Sequence, residues 1–367
     1  MMAANGVLTA LGLMSGTSLD GIDAALLQTD GETIAGTGPF LTFPYDDPFR
    51  DRLRAILGSD PAGSADAGPV AGELTERHVE AVKRLLDESG LKPADIDVIG
   101  FHGHTVTHQP DQGITRQIGD GARLALETGI RVVNDFRAAD VAGGGQGAPL
   151  APLYHAARSV KLVKPLAVLN IGGVANLTWI SPDGGLVAFD TGPGNALIDD
   201  WVKDKEGQTM DLDGNLAHAG KVDSGALEAL LDNPYFMRPF PKSLDRNAFD
   251  SGPVARLSTA DGAATLTAFT AAAVEKASHI LPAPPNWWLV CGGGRLNPAL
   301  MAALRSRLTG APVEPVEMAG WKGDALEAQA FGFLAVRSIK GLPLSLPSTT
   351  GVGKPMTGGV LHHPDGS

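Results

Sequence analysis

Glycine most narrows what this chain can become: 47 of its 367 residues are Gly, well above the average of ~7%. They do not form a low-complexity tract. They fall in short loops between apolar segments, such as Gly143-Gly144-Gly145, Gly172-Gly173 and Gly292-Gly293-Gly294. Glycine reaches backbone conformations closed to other residues and lets another group come close to the main chain. The pattern therefore predicts many tight turns and close backbone approaches between regular elements.

At roughly 150 residues per domain, 367 residues predict about two domains, and a 43% hydrophobic content can fill a large core. Lys and Arg total 29 against 41 Asp and Glu, a net charge of −12, with no basic stripe. Such a surface repels a phosphate backbone, so nucleic acid is excluded as a partner. A small anionic ligand is not excluded, because N–H groups in Gly-rich loops bind phosphate whatever the net charge. The single cysteine, Cys291, rules out a disulfide framework and a cysteine-based zinc site. The opening MMAANGVLTALGLMSGTS has no basic residue and its apolar run is broken early, unlike a secretory signal. No segment has the ~18 uninterrupted apolar residues of a membrane helix. A soluble, cytoplasmic protein is expected.

The periodicities alternate. Val7 to Met14 reads as a strand, SGTSLDGID as a tight loop, and Ala24 to Thr29 as a second strand closed by Asp30-Gly31. Ala71 to Ser89 reads as a helix stopped by Gly90, and Ile96 to Phe101 as a strand entering the loop HGHTVTHQP. A short helix from Ala122 to Thr128 precedes the strand Ile130 to Asn134. After Lys164 the opening plan returns: strand Leu166 to Ile171, loop GGVAN, strand Leu177 to Ile180, an Asp183-Gly184 turn, strand Leu186 to Phe189. The recurrence is either chance in a Gly-rich chain or two similar α/β halves. Helices follow at Ala196 to Lys203, Gly225 to Leu231, Ala263 to Ile280, after Asn297-Pro298, and from Asp324 to about Ile339, with a strand at Trp287 to Cys291. The tail from Gly341 is either an ordered strap or partly disordered. Strands alternating with helices predict an α/β fold.

Three motifs carry chemistry. In Ser15-Gly16-Thr17-Ser18-Leu19-Asp20-Gly21-Ile22-Asp23, glycines, hydroxyls and N–H groups suit phosphate oxygens, and Asp20 and Asp23 can hold Mg2+ directly or through water. An ordinary hairpin turn reads the same residues as well. It is not a P-loop, since no G-x-x-x-x-G-K-[ST] is present. In Phe189-Asp190-Thr191-Gly192-Pro193-Gly194-Asn195, a strand end delivers Asp190 and the following N–H groups aim at any anion, unless the motif only caps a helix. A lone D-T-G does not make an aspartic protease, which needs two carboxylates sharing a proton. Gly292-Gly293-Gly294 after WWLVC lets something flat, such as adenosine, approach the main chain. His102, His104 and His108 read first as hydrogen-bonding groups rather than metal ligands. Asp211-Leu212-Asp213-Gly214-Asn215 lacks the order of a calcium loop. Glu327, near the start of its helix, either compensates the dipole or faces a ligand.

Two phosphate-friendly hairpins, a strand-borne carboxylate and a late Gly-rich loop describe a two-lobed actin/hexokinase-like (ribonuclease H-like) α/β ATPase fold with a ligand cleft between the lobes. More specifically, GLMSGTSLDGID, FHGHTVTHQP, QIGDGARLALETGI, VVNDFRAADVAGGGQGAPLAP, LNIGGVANLT, FDTGPGNALIDDW, CGGGRLNP and the tail LPLSLPSTTGV resemble the 1,6-anhydro-N-acetylmuramic acid kinases, in that family's order from about residue 10 to 360. The resemblance implies that Gly16 to Asp23 bind ATP phosphates, with Asp20 toward Mg2+. It places a second phosphate loop at Asn170, Gly172, Gly173 and Asn176, and Gly292 to Gly294 against adenosine. Asp190 becomes the catalytic base. Glu327 and the loops of His102 to His108 and Asp135 to Gln146, with His102, His104, Asp135, Arg137 and Gln146 as candidates, face the sugar. His104 stands where Gln is usual and Arg116 where an apolar or small residue is common. The expected lobes are 1–135 plus about 340–367, and 136–339. A homodimer is implied too.

In the implied substrate an ether joins C1 and C6, so O6 carries no hydroxyl to phosphorylate. Water attacking C1, with its proton taken by Asp190, would expel O6 onto the γ-phosphate of ATP. An inverting glycosidase needs an acid for the leaving oxygen and a base for the water. Here the phosphoryl group replaces the acid. Rival readings are a kinase for another anhydro sugar such as levoglucosan, a sugar kinase acting on a free hydroxyl, and an actin-like nucleotide clamp without sugar chemistry.

Overall fold

A computed structural model describes residues 6–16, 18–58, 67–246 and 248–366. The chain divides into two compact units, residues 1–160 with 324–367, and residues 161–323.

In unit 1 the strands are β1 (Leu8–Ser15), β2 (Gly21–Thr29), β3 (Ile34–Pro44), β4 (Val98–Gln109), β5 (Ile114–Ile118) and β6 (Val132–Asn134). β1, β2 and β3 form an antiparallel meander, β4 lies parallel to β1, and β6 parallel to β4. In unit 2 they are β7 (Leu166–Ile171), β8 (Val174–Ile180), β9 (Leu186–Pro193), β10 (Trp287–Cys291) and β11 (Val313–Pro315). Here β7, β8 and β9 form the meander, β10 lies parallel to β7, and β11 parallel to β10. The order β3-β2-β1-β4-β6 thus repeats as β9-β8-β7-β10-β11. Two similar halves, not chance, explain the recurrence in the sequence. This repeated plan is the actin/hexokinase-like α/β fold that was expected.

Each unit buries its own core. The helix Ala67–Ser89 sends Val70, Leu74, Val79, Val82, Leu85 and Leu86 into the core of unit 1. In unit 2 the long helix Thr259–Ser278, capped by Ser258, is buried on two sides. Ala271, Val274 and Ala277 meet the sheet core. Ala263, Leu266 and Phe269 meet a second cluster with Leu197, Trp201 and Leu230.

Several elements differ from expectation. HGHTVTHQP is strand rather than loop, because β5 pairs with it antiparallel through Thr105, Thr107 and His108. β3 and the helix Asp47–Ala55 had no expected counterpart. The GGVAN loop shrinks to a turn, since β8 begins at Val174. The unit boundaries fall at 160/161 and 323/324, not near 136 and 340. The helix Leu326–Ile339 packs on β1 and β4, which keeps it in unit 1. The tail is ordered: Val360–His362 pairs antiparallel with β6, and Ser338 Oγ donates to Gly358 O at 2.6 Å.

Glycine sets how closely that helix sits. Gly12 and Gly100 are paired across β1 and β4. A Cβ on Gly12 would lie 1.6 Å from the Ala328 carbonyl oxygen, and one on Gly100 2.1 Å from that of Phe331. Gly332 on the helix completes the contact, its own Cβ position lying 2.4 Å from Leu27. Backbone atoms cannot yield as side chains do. Gly12→Ala is expected to cost at least about 3 kcal/mol, the upper end for overpacking, read as a lowered denaturant midpoint.

Unit 1 also buries neutral imidazoles. Burial pulls His78, His104, His108 and His155 down to about 4, and burial with the Arg137 charge pulls His102 well below the ordinary value of 6.5. The unfolded chain takes protons on these groups below ~6.5 while the folded chain does not. Their contribution to stability is full above ~6.5 and is lost as pH falls from there toward about 4. Asp23 opposes them, because burial and the nearby carboxylates raise its carboxyl to about 7. The histidines outnumber it. The melting temperature is expected to fall between pH 7 and pH 5.5, and His78→Leu to flatten the slope; a level profile in the unmodified protein would refute this.

Candidate active site

In unit 1, β1 ends at Ser15 and the chain turns through Gly16 to Asp20 into β2. Thr17 lies outside the described residues. Leu19 N donates to Gly16 O at 3.1 Å, and Leu19 sits at φ 61°, a left-handed conformation unfavourable for leucine. Neighbours hold it there. Arg50 donates from Nε to Leu19 O at 2.9 Å, and Tyr45 N donates to Asp20 O at 3.0 Å. Beneath the turn, Ser15 Oγ shares hydrogen bonds with Tyr45 OH at 2.7 Å and His104 Nδ1 at 2.9 Å, all three residues buried.

The turn's residues divide by direction. Leu19 and Ile22 send their side chains into the core, so only their main chain can serve a ligand. Gly21 is explained by packing, since a Cβ there would lie 2.5 Å from Phe43 O. Gly16 is different: its φ is not positive, and a Cβ would meet nothing closer than 3.7 Å. Ser18 Oγ donates to the exposed Asp20 carboxylate at 2.7 Å. The Asp23 carboxyl, bonded by Thr42 Oγ1 at 2.6 Å, is raised to about 7 by burial, with Asp20, Glu327 and Asp324 adding to the negative potential. Glu327, in the first turn of its helix, therefore belongs to this acidic surroundings.

The other expected sugar residues lie in the same unit. His102 is neutral. Its Nδ1 bonds Gly103 O at 2.9 Å, and its Nε2 accepts from Arg137 at 3.0 Å, while Arg137 also donates to Gly147 O at 2.7 Å. A cavity of ≈ 180 Å³ opens beside His102, lined also by Arg116, Gln117, Asn134 and Asp135. Asp135 stands at φ 54°. His104 does not line it; the ring is fully buried and its Nδ1 is engaged by Ser15. Gln146 bonds Asp111 through its side chain at 3.3 Å and Thr350 O through its N–H at 2.6 Å. The buried Asp140 carboxylate accepts from Gly147 N at 2.7 Å, Thr350 Oγ1 at 2.6 Å and Ser345 Oγ. It stitches the tail to the Asp135–Gln146 segment, a role the sequence did not disclose.

Unit 2 holds the second group. Across its sheet Cys291 is in register with Asn170, Asn170 with Asn176, and Asn176 with Asp190. Residues directly opposite one another share a face, so these four side chains form one row. Asp190 stands inside β9, not at a strand end, because β9 runs on through a bulge to Pro193. Its Oδ2 accepts from Leu244 N at 2.8 Å. The N–H groups after it do not aim at an anion: Gly194 and Asn195 donate to Gly173 O at 2.9 Å and Gly172 O at 2.8 Å.

Of the late glycines, Gly292 and Gly294 are explained by packing. A Cβ on Gly292, at φ 73°, would lie 2.4 Å from Asn170 Oδ1, and one on Gly294 2.6 Å from Ile171. Gly293 and Gly172 have φ values open to any residue, and their Cβ positions lie 3.7 Å and 3.8 Å from the nearest atom. Gly16, Gly172 and Gly293, one in each expected nucleotide loop, are thus glycines that neither turn geometry nor packing demands. Bare main chain at these points suits phosphate and nucleoside. Among the described residues no three His, Cys, Asp or Glu side chains are grouped to hold a metal.

The family model for anhydro-N-acetylmuramic acid kinase matches residues 8–364. Proteins of that name from Rhodospirillum rubrum, Paramagnetospirillum magneticum and Acidiphilium cryptum are 58%, 57% and 56% identical to this chain. Each alignment spans 97% of the chain, and 94%, 99% and 98% of the respective relative. The chain belongs to the anhydro-N-acetylmuramic acid kinase family.

Proposed function

We propose that this protein uses ATP to open the 1,6-anhydro ring of 1,6-anhydro-N-acetylmuramic acid and to phosphorylate O6. The product is N-acetylmuramic acid 6-phosphate, formed in the recycling of cell-wall murein. Family membership over nearly the whole chain carries this reading and disfavours levoglucosan or a nucleotide clamp as the alternative.

Asp190 takes the proton from the attacking water. As the C1–OH bond forms, the C1–O6 bond breaks and O6 takes the γ-phosphoryl group, releasing ADP. Support comes from the placement of Asp190: 6% exposed, carried on a strand, and oriented by Leu244 N–H. The open main chain at Gly16 in unit 1, and at Gly172 and Gly293 in unit 2, suits nucleotide phosphates and nucleoside, and the cavity beside His102 and Asp135 in unit 1 suits the sugar. Asp20 and Asp23 would hold Mg2+, directly or through water. The ion, when bound, neutralises charge on the transferring phosphoryl group. We further propose a homodimer and a cytoplasmic location. Among the described residues no helix is long and apolar enough to cross a membrane.

Asp190→Asn is expected to lower kcat by roughly 10²–10⁴-fold, the usual range for a lost general base, with nucleotide affinity changed no more than a few-fold. Near-normal turnover removes Asp190 from the role. In water enriched in ¹⁸O, mass spectrometry is expected to find the label at C1 and none in the phosphate ester. Label in the ester contradicts expulsion of O6 by water.

A further inference from the structure

The main chain around Asp190 is closed into a ring of hydrogen bonds. Asp190 N donates to Lys242 O at 2.9 Å. Lys242 Nζ donates to Tyr235 O at 3.1 Å. Tyr235 OH donates to Asp190 O. Two residues beyond Lys242, Leu244 N reaches the Asp190 carboxylate itself at 2.8 Å.

Lys242 is an unusual residue to find here. It is 3% exposed, whereas lysine is almost never fully buried unless paired. No salt bridge to it is seen among the described residues. Its ammonium lies 4.4 Å from the Tyr235 ring centroid and 5.8 Å from that of Phe189, the residue before Asp190. Burial, then the Arg238 charge, pulls its amine down to about 8. Tyr235 is pushed the other way by burial and by the Asp190 charge, so its phenol keeps the proton that it donates. A buried cation on a carbonyl oxygen and two aromatic faces contributes little to stability compared with an apolar side chain of the same size. What it does accomplish is geometric, since it fixes residues 242–244 against Tyr235.

We propose that Lys242, together with Tyr235, is a positioning residue for the reaction: the pair holds Leu244 N–H on the Asp190 carboxylate and so sets the direction in which that carboxylate faces the attacking water. The inference rests on Asp190 being the base. Lys242 itself touches no substrate and transfers no proton. Its loss lets the carboxylate rotate, which slows the proton transfer without loosening either ligand, because neither the nucleotide loops nor the sugar cavity includes this ring.

The test compares Lys242→Met, Tyr235→Phe and Asp190→Asn by steady-state kinetics, with melting temperature and nucleotide affinity measured on each. Lys242→Met and Tyr235→Phe are each expected to lower kcat by about 10-fold or more, with KM for sugar and for ATP within about twofold. A merely structural role would instead lower melting temperature and active fraction while leaving kcat per active site unchanged. Normal kcat per active site in either variant, beside an inactive Asp190→Asn, overturns the proposal and spares the base assignment. An active Asp190→Asn overturns both. Should Lys242→Met fail to fold, Tyr235→Phe, which loses only a hydroxyl, decides the matter by the same split.

Discussion

Unit 1 depends on a contact between main chains. The carbonyl oxygens of Ala328 and Phe331 occupy the space over Gly12 and Gly100 where side chains would otherwise stand. Interiors are packed as densely as organic crystals, so a helix this close to a sheet fixes both. Gly12 lies three residues before Ser15, where β1 gives way to the turn proposed to meet the nucleotide. Helix position, strand position and turn position are therefore one variable. The same helix brings Glu327 in its first turn into the surroundings of Asp23.

The two units share a strand order but secure their sites by different means. Unit 1 uses side chains to hold main chain: Arg50 grips Leu19 O, and His104 and Tyr45 meet at Ser15. That arrangement suits the role proposed for this turn, in which its main chain meets the ligand. Unit 2 mostly uses main chain to hold a side chain, with Leu244 N–H on Asp190 and the Gly172 and Gly173 carbonyls closing the segment behind it. Such a frame suits a single carboxylate whose orientation matters. One strand order, used twice, thus carries a braced turn in unit 1 and a held carboxylate in unit 2.

Much of this was legible in the residues. Leu166 to Ile171 and Trp287 to Cys291 were readable to the residue, because buried parallel strands are continuous apolar runs with glycine punctuation. The second half of β4 was not, since His, Thr and Gly in HGHTVTHQP look like loop until a partner strand supplies the hydrogen bonds. β3 was missed for a related reason: most of its residues are exposed, so they show no alternation. Asp190 was legible as a carboxylate brought in by a strand, but the bulge that keeps it inside β9 was not. The partners of the site were hidden too. Lys242, Tyr235 and Leu244 lie some fifty residues away from Asp190, and no local pattern couples them to it. Glycine misled in one respect, since Gly292-Gly293-Gly294 suggested a single purpose where packing accounts for the outer two.

The placement of Asp190 on a strand follows from the chemistry proposed for it. An inverting glycosidase divides its work between an acid and a base held apart by the depth of a water molecule. When the phosphoryl group captures the leaving oxygen, as proposed, the acid is dispensable and the base works without a second catalytic carboxylate. All the precision of the water attack then falls on one side chain with two rotatable bonds. A loop would leave that carboxylate free to turn between water and phosphate, and like charge would drive it from the phosphate. Inside β9 its main chain is fixed on both sides, by Asn176 in β8 and by Lys242, and its Oδ2 is held by an N–H whose own segment is tied down. A lone base demands more rigid support than one of a pair, and β9 supplies it.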